Sequence, residues 1–555
     1  MKNKLTLALV GLSLTVFAQN SQPKGTAINN IDVSNINASI VTGGDMFHDL
    51  TPIGNFPNFN QSFEVPKGSG MHTIFGGALW IGAKDSNNNL YVSSQTYRQP
   101  SLVGYWPGPI ANIHDLAHSN KYDKVWKISK AEIDKHKIFY TSSFYNVPAS
   151  IASWPGNGNT ANGEAAQLAP YIDRNNDGIY NPNQGDYPDI KGDQALYVIL
   201  NDKGNVKEPI SPSMNAEIHV MYYGFDNAAN NPVYNTLFSE YRIINRGQIN
   251  LKDFYAGLWI DFDLGNYDDD FVGCDTTTNR FYVYNGDNFD EDSVVTYGGL
   301  PSNPSQIIIP VNGYGANPPV QSVAFLDQKM SHFVYYNNNG NAANGNPTVA
   351  NDYYNYLRGV WRNNWLLTYG GDGTNQANPP ANHMFSGDPV TATGWSERNT
   401  LSPIPNVPAD RRGVGSIGPF NLNAGQELKF TVAYNYSRGT SNLNSVTQSQ
   451  ADAIAVQNFF RNQIMSAPKP IPAKNGLALF PNPAQDQIYL QLPSAFMHKN
   501  IEVSVSDYTG RTVLQKSLKA ENNLQNLNIE TLSKGIYLVS VTSDKHTINS
   551  RLVKL

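Results

Sequence analysis

Asp173-Arg174-Asn175-Asn176-Asp177-Gly178-Ile179-Tyr180 sets side-chain oxygens at its first, third and fifth positions and a glycine at its sixth. Calcium takes about six to eight oxygen ligands, and this spacing lets a short loop turn alternate side chains toward one point while glycine takes the bend. The expected ligands are Asp173, Asn175, Asp177 and the main-chain carbonyl of Ile179. Position twelve is Gln184, where an EF-hand carries a bidentate Glu, and Ala169-Pro170-Tyr171 does not read as an entering helix. The loop is therefore not an EF-hand proper, and its missing acid has to come from Asp186, Asp189 or Asp193. Without metal the same residues make an Asx-rich turn.

A second acidic stretch holds Asp261, Asp263, Asp268, Asp269, Asp270 and Asp275, with Asp287, Asp290, Glu291 and Asp292 soon after. Carboxylates this dense repel one another unless a cation or water screens them. A second calcium site drawing on Asp261, Asp263 and Asp269 is one expectation, and a solvated acidic face is the other. The same acids could serve a glycoside hydrolase, which needs two carboxylates flanking the scissile bond, a separation that spacing along the chain does not fix.

Other chemistry is weakly supported. His114-Asp115-Leu116-Ala117-His118 is close to the zinc motif H-E-x-x-H, but an Asp replaces the Glu and no third ligand follows at a recognised spacing. Its flanks read as loop, so the match is taken as coincidence. Cys274, beside Asp275 and after a run of acids, suits a small core residue better than a nucleophile. There is no G-x-S-x-G elbow and no G-x-x-x-x-G-K-[ST] phosphate loop. The eight tryptophans would suit a sugar platform, yet β cores use aromatics as well, and the core reading is preferred for each.

The elements that must position these residues are mainly strands. The 555 residues are rich in Asn, Gly, Pro and Tyr, with 39 Lys and Arg against 45 Asp and Glu, a net charge of -6. That balance lacks the basic stripe that nucleic acid demands. Strands are expected over 73–81, 90–97, 195–200, 218–223, 234–245, 254–262, 280–284 and 428–436, each bounded by turn residues. The fold class is all-β: a large sandwich-like central domain with long loops at 335–353 and 370–388, and one late helix at 445–464. Residues 1–18 carry Lys2 and Lys4, an apolar run and Val16-x-Ala18, the pattern of a cleaved signal peptide. That run is shorter than the roughly 20 residues a spanning helix needs, and no transmembrane segment is expected. A central β-rich domain follows over 19–465, then a proline-rich linker at 466–475 and a small antiparallel β-sandwich at 476–555.

Phe480-Pro481-Asn482-Pro483, Asp507-x-x-Gly510-Arg511, Leu532-x-x-Gly535-Ile536-Tyr537 and the end Arg551-Leu552-Val553-Lys554-Leu555 together resemble the type A sorting domain of type IX secretion. The resemblance implies export through the periplasm and across the outer membrane of a Gram-negative cell. Its partners would be the type IX machinery and its sorting protease, and the mature protein would be attached to surface lipopolysaccharide or released. The central region, through 75–82, 95–98, 177–193, 261–275, 418–420 and 424–425, resembles uncharacterised surface proteins with the same C-terminal domain. That likeness implies an exported location and no reaction.

These readings converge on a secreted or cell-surface protein whose calcium-stabilised central domain serves adhesion or glycan binding. The residues favour a non-catalytic protein, and the rival is a secreted hydrolase acting on polysaccharide or protein.

Overall fold

The computed structural model describes residues 24–49, 60–97, 103–204, 207, 209–300, 303–465, 477–507, 511–521, 524–544 and 546–554. The leader expected at 1–18, the linker expected at 466–475 and the turn residue Gly510 lie outside the described residues. The chain divides into two units. One comprises residues up to Lys127, Asn159–Ala166 and Gly192–Ile454, and the other Ile128–Gly158, Gln167–Lys191 and the chain from Ala455 onward.

Runs of β-branched and aromatic residues build the first unit. Gln194–Asn201 and Ala216–Gly224 are buried along almost their whole lengths; the first is an apolar run between Gln and Asn, and the second buries Glu217 and His219 along with its apolar residues. One antiparallel sheet runs in the order Ile28–Ile31, Asn37–Val41, Asp45–Met46, His72–Lys84, Leu251–Phe262, Arg411–Leu422 and His332–Asn337. A second runs Gln194–Asn201, Ala216–Gly224, Thr236–Asn245, Glu427–Ser437, Val320–Phe325, Arg280–Asn285 and Asp270–Asp275. The sheets share one hydrophobic core, to which Trp80 and Trp259 contribute from the first and Val198, Ile243 and Phe430 from the second. Trp80 and Trp259 stack with ring centroids 6.1 Å apart. The fold is all-β, and the expected strands fall within or over observed ones with ends shifted by a few residues, apart from 90–97, whose strand stops at Ser93.

Helices were harder to foresee. The late helix spans Asn442–Phe459 and continues as a π turn through Phe460–Met465. The expectation of loop around His114-Asp115-Leu116-Ala117-His118 is corrected: Leu116–Tyr122 is helical, because Asp115 accepts the His118 N–H and caps its first turn. Lys130–Phe139, in the second unit, is a further helix, set by the capping box of Ser129 and Glu132.

The C-terminal domain has its own centre. Ala478–Phe480, Gln487–Gln491 and Leu524–Asn528 form one sheet; Thr512–Lys519, Asn500–Ser506, Gly535–Ser543 and His546–Lys554 form another. Ile501, Val503 and Val505 point inward in alternation, and with Ile488, Leu527, Val539 and Leu552 they belong to a hydrophobic cluster drawn entirely from residues 477–552.

Candidate metal centres

The Asp173 loop belongs to the second unit and is entered from the short strand Tyr171–Ile172, which pairs with Tyr187–Pro188. Left-handed backbone at Asn176 and Gly178 bends it tightly. Asp173 Oδ2 accepts the Gly178 N–H at 2.7 Å, while its Oδ1 is buried with no hydrogen-bond partner. Asp177 Oδ1 accepts the Ile179 N–H at 2.8 Å and its Oδ2 accepts from the Asn175 amide at 2.8 Å. Asn175 also donates to Gln184 Oε1 at 3.0 Å, so the residue at position twelve faces the loop.

Asp186 has a different task. It is buried, and its two oxygens accept the N–H groups of Arg174 and Asn181, each at 2.8 Å, closing the loop from beneath. Asp193, in the other unit, accepts the Asp226 N–H. The loop thus brings Asp173, Asn175 and Asp177 together, with Asp186 locking the backbone that presents them. Asp173 Oδ1 is the orphaned buried oxygen that a cation at this loop would satisfy, and the oxygen-only donor set suits a hard ion such as calcium.

The acidic stretch of the first unit sits at the end of the strand Leu251–Phe262. A register shift between Asp261 and Phe262 breaks its pairing with His72–Lys84 at that point. Single oxygens of Asp261, Asp263 and Asp410 lie within 4.8 Å of one another. Arg412, paired across the ladder from Asp261, reaches into this group. Its Nε is 3.1 Å from Asp261 Oδ1 and its Nη1 is 2.5 Å from Asp410 Oδ1. Tyr97 donates to Asp261 Oδ2 at 2.7 Å. Burial raises the Asp261 carboxyl to about 7, with Asp410 adding to the rise and Arg412 opposing it.

Asp269 stands outside that triad, in a second group with Asp270 and Asp290. Neither oxygen of Asp269 has a hydrogen-bond partner, and burial lifts its carboxyl to about 6. Asp270 is fully buried. Its Oδ2 accepts the Leu264 N–H at 3.1 Å, its Oδ1 has no partner, and burial and Asp269 push it well above the ordinary carboxylate range. Asp290 accepts N–H bonds from Asn266 and Tyr314, at 2.9 and 2.6 Å, and burial raises it to about 7. Gly265 is required here, because a Cβ would come within 2.0 Å of Asp290 Oδ2. Sequence spacing had no means of finding Asp410, which arrives by strand pairing from far along the chain. Asp270 and Asp290 lie in the stretch that the sequence marks as acidic, but only burial singles them out.

The remaining motifs resolve into structure. Asp115 is spent on its helix cap. His114 Nε2 accepts the Ala111 N–H at 2.8 Å, which commits that lone pair, and burial lowers its pKa to about 4. Cys274 is buried, donates to the Met384 carbonyl at 3.3 Å, and has its thiol pKa raised by burial. Seven of the eight tryptophans are buried, and Trp365, 48% exposed, is the exception.

Residues 478–555 match the family of secretion system C-terminal sorting domains. The chain carries a type IX sorting domain, and that domain directs it to the cell surface or the medium. Among the described residues no helix is long and apolar enough to cross a membrane. No curated protein matches the sequence. Among solved structures, a polysaccharide lyase aligns at 8% identity and a TM-score of 0.17, over 65% of this chain and 39% of its own. The chain thus spans about two fifths of that lyase's length, and a likeness at this level carries no argument.

Proposed function

We propose that the central domain is a calcium-stabilised, non-catalytic module for adhesion through glycan binding, carried outside the cell by the C-terminal sorting domain. The reading rests on one observation above others: buried carboxylate oxygens without partners, Asp173 Oδ1 in the loop and Asp269 and Asp270 at the strand end, in a chain addressed outside the cell. Asp173, Asn175, Asp177 and the carbonyl of Ile179 would hold one ion, and Asp269 with the neighbouring Asp270 and Asp290 a second. Calcium would supply charge and rigidity, in a chain whose single cysteine rules out an intramolecular disulfide.

The rival hydrolase is disfavoured by the same groups. Asp261, Asp263 and Asp410 converge on one point with Arg412 among them, which suits charge neutralisation better than a pair of acids held on opposite sides of a bond. Partners on this reading are the type IX machinery and its sorting protease, then lipopolysaccharide or an extracellular glycan. Deleting residues 475–555 should strand the protein in the periplasm, and calorimetric titration of the remaining central region should register calcium binding. Surface exposure of the truncated form would count against the delivery route, and absence of calcium binding against the metal.

A further inference from the structure

A cleft of about 480 Å³ opens between two loops of the first unit, residues 370–378 and 400–406. Its walls are held by buried side chains. Trp361 Nε1 donates to the Gly373 carbonyl at 2.8 Å, and Trp395 Nε1 donates to the Gly371 carbonyl at 3.0 Å. These two bonds fix the backbone on either side of Asp372. The Gly371 N–H donates to the Thr400 carbonyl at 2.7 Å and ties one loop to the other. Asp372 Oδ1 accepts from the N–H and hydroxyl of Thr374, whereas Oδ2 has no partner among the described residues. The backbone of both loops and one oxygen of Asp372 are therefore set before any ligand arrives.

The lining chemistry narrows the ligand. Asn375, Asn378, Asn406, Thr400 and Ser402 line it with amides and hydroxyls, although the Thr400 hydroxyl already donates to the Ile404 carbonyl and the Asn406 amide to Glu397 Oε1; Asp372 gives the single carboxylate, and among the described residues no Lys, Arg or His lines the cleft. Such a surface offers no cation to a sulfated or phosphorylated ligand, but it matches the paired hydroxyls of an uncharged sugar. The lip is apolar. Leu401 and Ile404 are 53% and 77% exposed, and Leu401 sits at φ 55°, a left-handed conformation that a branched side chain rarely holds.

Trp365 belongs to a segment tied to one of these loops. The Leu366 N–H donates to Gln376 Oε1 at 3.2 Å and Gln376 Nε2 returns a bond to the Leu366 carbonyl at 2.9 Å, lashing the Trp365 segment to the loop that carries Asn375. That segment holds the one exposed indole of the chain, with Leu366 and Tyr369 also exposed. We infer that this cleft binds a neutral oligosaccharide, with Trp365 stacking on the apolar face of a pyranose ring and Asp372 Oδ2 accepting from its hydroxyls. The inference rests on the glycan-binding reading above and gives it a site.

The test is calorimetric titration of the whole mature chain with neutral hexasaccharides of glucose, xylose and mannose, and with a sulfated hexasaccharide from heparin. Binding of at least one neutral sugar is expected, with Trp365→Ala and Asp372→Asn each weakening it about tenfold or more and Trp365→Phe retaining part of it. Both positions are exposed, so thermal melts of the variants should overlay the parent. Undiminished neutral-sugar binding by both Trp365→Ala and Asp372→Asn would overturn the cleft while leaving glycan binding intact. Failure of the parent to bind any neutral sugar, or preference for the sulfated one, would overturn the inference, and with no sugar bound at all the glycan reading falls too.

Discussion

Arg412 and Asp261 face each other across neighbouring strands as a buried ion pair, Nε to Oδ1 at 3.1 Å, and the same guanidinium reaches Asp410 at 2.5 Å. The chain supplies its own cation at this end of the acidic stretch. Removing one partner of a buried pair leaves the other charge without compensation, which costs about 3 to 5 kcal/mol. Arg412→Met should lower the denaturant midpoint of the central domain accordingly, and adding Asp261→Asn should recover part of the loss. A midpoint that Arg412→Met leaves in place would mean that the pair is not buried as described.

The carboxyls beyond the reach of Arg412 set a dependence on pH. Asp269 is raised to about 6 and Asp290 to about 7, and burial pushes Asp270 well above the ordinary carboxylate range, so each binds its proton more tightly folded than unfolded. Their contribution is complete below the unfolded value of about 3.9 and is lost as pH climbs through 6 to 7. Metal-stripped parent should therefore lose more stability between pH 5 and pH 7.5 than an Asp269→Asn variant does, a comparison that cancels the opposite drift of buried histidines such as His114. Millimolar calcium should stabilise more at pH 7.5, because it favours the ionised carboxylates. An Asp269→Asn variant whose metal-free melt follows the parent's pH dependence over this interval would contradict the assignment.

At the Asp173 loop the expected effect is a stoichiometry. Asp177→Ala deletes two loop-closing bonds and one proposed ligand, so the number of calcium ions bound per chain should fall by one. Chelator should lower the melting temperature of the parent, with ion at about a hundredfold over its Kd contributing about 2.7 kcal/mol. The variant should lack the share that belongs to this loop. An identical melt of the parent with and without chelator would leave no role for the ion.

Strand positions were legible because period and burial coincide: Gln194–Asn201 and Leu251–Phe262 are apolar runs that end at turn residues. The Asp173 loop was legible because its ligands are consecutive in sequence. Asp410 and Arg412 were not, since their meeting with Asp261 is a product of sheet register. The helix Leu116–Tyr122 is masked in the sequence because its flanks carry loop residues, and the Asp115 cap that starts it shows only in the fold. Trp365 had no mark in the sequence that separated it from seven buried tryptophans; only its exposure does so.

The C-terminal core gives the last prediction. Ile501 is buried in a cluster that takes no residue from outside 477–552, so a cavity there should be felt by that domain alone. Ile501→Ala should cost about 2 to 5 kcal/mol, a large part of what a domain of this size can hold. A fragment spanning 476–555 should unfold cooperatively, and the substitution should lower its midpoint. In the whole chain the same change should reduce export to the surface while the calcium-dependent transition of the central domain stays where it was. A matching drop in that central transition would mean that the two cores are energetically one, and the C-terminal domain would no longer stand as a separate address.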